Sequence, residues 1–169
     1  MAVAAMLAAG CSDTITKTLT GGPGTSRPAT PAAVPQHPAS ALAAGLKAAG
    51  LPVTHLIIYT PSTDPNHEMG RQGGYTSKVA WVDQRAEHAG AGKPVTADER
   101  GDVSYGGGIE VFPTAAGARQ QADYIQGFGP MLADGYDFTV GGALLRLSKY
   151  LTPAQAQAYK AAFTAAVSR

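Results

Sequence analysis

Between Ser12 and Ala39 the chain has 28 residues, of which five are proline, six threonine and three glycine, and none is aromatic. Proline fixes φ and removes a backbone donor, while glycine raises the entropy cost of ordering. A segment with so little large apolar surface does not recover that cost by burial. Residues 12–39 therefore read as a disordered, partly polyproline-like linker. Whatever folds must lie in 40–169, and all 12 aromatic residues fall there. The linker holds Lys17, Arg27 and Asp13, so 40–169 keeps 11 basic and 11 acidic side chains. A stretch of that length can bury one core as a single domain. Its balanced charge gives no basic footprint for nucleic acid. A lone cysteine excludes an intrachain disulfide, a CxxC redox pair and a four-cysteine zinc site. No run approaches the roughly 18 apolar residues of a membrane-spanning helix. No internal repeat is visible.

Ahead of the linker stands Leu7-Ala8-Ala9-Gly10-Cys11, preceded only by uncharged small or apolar residues. This stretch resembles the lipobox of bacterial lipoproteins, in which small residues precede a cysteine that is acylated after the signal peptide is removed. The resemblance implies lipidation at Cys11 (diacylglyceryl, palmitate) and attachment to the extracytoplasmic face of the cell membrane. Each buried CH₂ of an acyl chain adds about 0.8 kcal/mol to such attachment. A secretory signal begins with a basic region and runs 15–30 residues. Here residues 1–10 hold no Lys or Arg, so they are expected to be the remnant of a signal whose start lies upstream. The structural alternative is an alanine-rich N-terminus with a buried free cysteine.

Periodicity sets out the rest. A helix is expected from Ser40, with Leu42, Leu46 and Ala49 on its inner face and Gly50 as its stop. Residues 54–60, THLIIYT, read as a strand at the centre of a sheet. Residues 61–74 are turn chemistry throughout. A strand over 75–83 sets Val79 and Trp81 against Lys78 and Ala80 on a solvated face. Residues 84–105 form a long polar loop. GGIEVFP, 107–113, is a third strand and hands over to a helix capped by Thr114, with Ala118, Ala122 and Ile125 inward, ending at Gly127 or Gly129. Residues 136–148 read as one strand bent at Gly141-Gly142. Thr152-Pro153 starts a last helix, burying Ala156, Tyr159, Ala162, Phe163 and Val167. The expected fold is α+β: a small, mostly antiparallel four-stranded sheet covered on one face by helices, in the order α-β-β-β-α-β-α.

Motifs for nucleophile elbows, zinc proteases, phosphate loops and dinucleotide turns are absent. Asp64, His67, Glu68, Asp83 and His88 are ligand types, but their spacing matches no metal framework. Asp64-Pro65-Asn66 reads as an Asx-type turn, with His67 and Glu68 in solvent. His55 reads as a hydrogen-bonded sheet residue. The cluster that stands out is Tyr59, Asp64, Asn66, Arg71, Tyr75, Lys78, Asp83 and Arg85, gathered in and around the loop between two strands. Tyr and Arg are frequent in binding hot spots, and loops held by a scaffold favour binding. The alternative for this cluster is a loop whose Arg and Asp pair with each other and cap backbone groups.

The phrases DPNxxxGRxGGYTSK (64–78), GGIEVF (107–112) and GALLRLSKYLTPAQAQAY (142–159) are similar to a group of uncharacterised actinobacterial envelope lipoproteins. That resemblance implies an address and transfers no catalytic residue. The expected function is an exported, lipid-anchored protein whose α+β domain binds a protein or cell-wall partner. Neither a cofactor nor nucleic acid is implied. One alternative is a secreted hydrolase using Asp64, Glu68 and Asp83; another is an envelope inhibitor or structural protein. Paired carboxylates in a cleft, one with a raised pKa, would favour the enzyme. A shallow surface with exposed Tyr and Arg would favour the binder.

Overall fold

The computed structural model describes residues 37–86, 95–129 and 135–169. Cys11 and the linker up to residue 36 lie outside the described residues, as does His88. Helix α1 is Ala39–Ala48, and strands β1 and β2 are Thr54–Ile58 and Ser77–Val82. A 3-10 turn at Val103–Tyr105 leads into β3, Gly106–Val111. Helix α2, Ala115–Gly127, is followed by β4, Tyr136–Val140, then β5, Ala143–Leu147, and α3, Pro153–Val167. The five strands form one antiparallel sheet in the order β1-β2-β3-β5-β4.

The α+β expectation holds, with one strand more than expected. Residues 136–148 are two strands, because Gly141-Gly142 turns the chain back on itself with Val140 paired to Ala143. Gly141 takes φ +55°, a conformation side chains resist. The element order is thus α-β-β-β-α-β-β-α. Strand β1 is an edge of the sheet and not its centre, with Leu56 and Ile58 exposed. Its apolar run reads equally as a buried strand, and a sequence does not display which strand lacks a second neighbour. Pairing with β2 slips between Thr54 and Ile57, and His55 lies in that bulge, exposed and at φ +48°.

Alternation sends Val79, Trp81, Ile109, Leu145 and Leu147 to one face, where α1 and α3 cover them with Leu42, Leu46, Tyr159 and Phe163. Ala49 is exposed, against the expectation that it faces inward. Ala39 is buried within α1 and its N–H donates to Ser77 Oγ at 2.9 Å, so the helix begins at what read as the last linker position. Thr152 and Gln155 form the reciprocal capping box that starts α3, at 3.3 and 2.8 Å.

The sheet is covered on both faces, not one. Helix α2 packs on the second face, where Ile125 and Ala118 meet Leu144, Phe112, Tyr75 and Met69. Thr114 caps α2 through Gly117 N–H at 3.0 Å. The 3-10 turn lies over β2 and β3, so Ala80, expected in solvent, is buried.

Candidate functional site

On that second face, register aligns side chains of alternating charge. Lys78 is opposite Glu110 across β2 and β3. Arg146 is opposite Gly108, diagonal to Glu110, and directly opposite Asp137 on β4. Asp64 reaches over from the loop after β1. The ion pairs run Asp64 to Lys78 at 3.3 Å, Lys78 to Glu110 at 3.4 Å, and Arg146 to Asp137 at 3.4 Å.

Asp64 organises the loop. Its carboxylate accepts from Asn66, Glu68 and Met69 N–H at 3.3, 2.9 and 3.1 Å. Tyr75 Oη donates to it, 2.6 and 2.7 Å from the two oxygens. Burial pushes this carboxyl up, but the bonds from Tyr75, Met69 and Glu68, helped by Lys78, outweigh burial and hold it down at about 2. Burial and the Asp64 bond push the Tyr75 hydroxyl well above its ordinary range. The Asx turn expected at Asp64-Pro65-Asn66 is present, and His67 and Glu68 are exposed. Lys78 Nζ sits over the rings of Tyr59 and Tyr75, at 5.3 and 5.1 Å from their centroids, and donates to Tyr75 Oη at 3.2 Å.

Glu110 is only 4% exposed. Burial pushes its carboxyl up, and the charges of Lys78 and Arg146 offset that only in part. Its Oε1 takes Lys78, while its Oε2 has no hydrogen-bond partner among the described residues. The carboxylate lines a cleft of about 640 Å³ whose floor is Lys78, Ala80, Gly108, Glu110 and Arg146. Gly101–Tyr105, Pro65-Asn66 and Ser148–Tyr150 form its sides. Ser148 Oγ donates to the Ser104 carbonyl at 2.5 Å and ties the 3-10 turn to the end of β5. A second hollow of about 650 Å³ lies between the Asn66–Gly73 loop and α2, lined by Gln120, Gln121, Tyr124 and Phe128. Asn66 and Arg146 line both hollows.

The cluster singled out from sequence therefore divides. Tyr59, Asp64, Asn66, Tyr75 and Lys78 come together, although Tyr59 and Tyr75 are packed into the α2-side core and do not present an exposed aromatic surface. Arg71 is exposed and lines neither hollow. Asp83 and Arg85 belong to the opposite face. There Arg85 donates to Asp83 from Nε, 3.0 and 3.2 Å from Oδ1 and Oδ2, and from Nη2, 2.6 Å from Oδ2, and Tyr159 Oη lies 2.9 Å from Asp83 Oδ2. The proposed hydrolytic trio does not converge: Asp64 is saturated, Glu68 is in solvent, and Asp83 is behind the sheet.

No family model, curated protein or solved structure matches this chain. Among the described residues, no group of three or more His, Cys, Asp and Glu side chains is placed to hold a metal ion. No described helix is long and apolar enough to cross a membrane.

Glu110, Asp137 and Arg146 escaped the sequence reading. Two signals for them existed. A glutamate between Ile109 and Val111 in a strand points away from the core face. Gly-Gly between two alternating runs is a hairpin signal, and closing that hairpin sets Asp137 against Arg146.

Proposed function

We propose that this protein is an exported lipoprotein, acylated at Cys11, whose α+β domain binds a ligand of the cell envelope in the cleft over the second sheet face. The observation that carries the reading is Glu110: a residue lining a cleft of ligand size, with a buried carboxylate oxygen that has no hydrogen-bond partner among the described residues. Pre-formed clefts with a few convergent polar groups are the ordinary form of small-ligand sites. The surface expected at residues 61–85 gives way to this cleft, to which Asn66 and Lys78 contribute.

Two measurements test the reading. Cys11→Ala should move the protein from the membrane to the soluble fraction; retention in the membrane overturns the anchor. Isotope-labelled full chain, titrated with the soluble low-mass fraction of an envelope digest, should show amide shifts at Gly108, Glu110 and Arg146. Shifts confined to other surfaces overturn the cleft.

One observation favours a hydrolase as second reading. Glu110, with its raised pKa, and Asp137 share the cleft, as a general acid and its companion carboxylate would. An activity lost in Glu110→Gln, with a pH profile governed by that group, would establish it.

A further inference from the structure

The chemistry of the first hollow and its neighbour is specific enough to name a ligand class, resting on the binding reading above. Lys78, Glu110, Asp137 and Arg146 line the first hollow, Asp64 is paired to Lys78, and the five charges largely cancel. A strongly charged ligand would meet an opposing neighbour at every step of such a row. What the row leaves open is one hydrogen-bond acceptor and one set of donors. Glu110 Oε2 has no hydrogen-bond partner among the described residues. Arg146 bonds to Asp137 through Nε, which leaves its terminal amino groups for the hollows it lines. An acceptor beside a donor fork matches a hydroxyl pair or a single hydroxyl used in both senses.

The second hollow continues this chemistry. Its wall carries the amides of Gln120 and Gln121 and the rings of Tyr124 and Phe128, stacked edge to face at 4.8 Å between centroids. Tyr124 is 63% exposed and Phe128 48%, an unusual display of ring surface beside a polar cleft. Rings supply apolar contact at low entropy cost, and amides supply donors and acceptors without charge.

We infer that the two neighbouring hollows, which share Asn66 and Arg146 in their linings, bind a neutral carbohydrate chain, one hydroxyl of which donates to Glu110 Oε2 and accepts from Arg146, while a neighbouring sugar ring lies against Tyr124 and Phe128.

The test uses isotope-labelled full chain and a panel of probes: neutral tetrasaccharides of glucose, mannose, galactose and N-acetylglucosamine, with spermidine as cation and glucose 6-phosphate as anion. At least one neutral tetrasaccharide should shift the amides of Glu110, Arg146 and Tyr124 together and leave Ile58 unmoved. Glu110→Gln should weaken that binding about tenfold. Tyr124→Ala, a surface change that leaves folding intact, should weaken it several-fold and erase the shifts on α2 only. A cleft that answers to spermidine or glucose 6-phosphate and to no neutral sugar overturns the carbohydrate assignment and leaves the binding reading standing. A cleft silent both to the panel and to the envelope digest overturns the two together.

Discussion

The two faces of the sheet each bury an aspartate and a tyrosine hydroxyl, set a basic side chain against them, and use the three differently. Behind the sheet, Asp83 accepts from Tyr159 and from Arg85, and the set closes on itself within an apolar layer. In front, Asp64 accepts from Tyr75 and Lys78, but Lys78 passes on to Glu110, whose second oxygen is buried and has no hydrogen-bond partner among the described residues. A closed set adds definition to a core. An open one keeps a polar group uncompensated at a cost of about 1–3 kcal/mol, which a ligand can return. One face is specified by volume and the other by charge, on the same strands, through side-chain alternation alone.

The comparison breaks first at its apolar side. Trp81→Ala should cost about 3–5 kcal/mol in denaturant unfolding, since it empties the layer where Tyr159 packs. A loss near zero would mean the face toward α1 and α3 is not the core.

The aspartates should differ next. Asp64→Ala strands Tyr75 Oη, three backbone N–H groups and Lys78, whose side chain is 12% exposed, and should cost about 3 kcal/mol. Asp83→Ala releases Arg85, 36% exposed and able to turn to water, and should cost about 2 kcal/mol or less. Equal losses would erase the distinction between the open and closed sets.

Titration sharpens the contrast within the front face, because Asp64 and Glu110 act with opposite sign. Asp64 sits at about 2 when folded against 3.8 unfolded, so the folded state binds fewer protons between those values. About 2 kcal/mol of stability is therefore present above pH 4 and lost as pH falls toward 2. Glu110 is raised above 4.5, so the folded state binds more protons just above that value and stability declines as pH rises through its folded pKa. Urea midpoints should peak on the acid side of neutrality. Asp64→Asn should flatten the acid limb, and Glu110→Gln the decline above the peak. Superimposable profiles for all three proteins would contradict both assignments.

The smallest effect belongs to Arg71. Its side chain is exposed outside both hollows, and Arg71→Ala should change stability by less than about 0.5 kcal/mol. Tyr75→Ala, one step along the same loop, empties a core position beside Phe112 and should not be tolerated so easily.

Local chemistry was legible and spatial neighbourhood was not. Thr114, Thr152 and Pro153 announce the starts of α2 and α3 because capping involves only three or four consecutive residues. The Asx turn at Asp64 is local in the same way. That β1 is an edge, or that α2 crosses to the second face, depends on contacts far apart in sequence, which periodicity does not carry. Five members of the candidate cluster were found because a single loop holds them near one another. Asp137 and Arg146 were missed because a hairpin read as one bent strand puts them at opposite ends of it, when the turn makes them neighbours.

The slip in β1 at His55 bears on how copies of this domain behave side by side. An open sheet edge bearing Leu56 and Ile58 invites a second molecule to continue the sheet, the first step of edge-to-edge aggregation. The bulge throws the outward backbone groups out of their regular repeat, so an incoming straight strand does not find a continuous row of aligned partners. A left-handed histidine on an outer strand thus acts as a guard on solubility, keeping neighbouring molecules apart without altering anything the domain holds within.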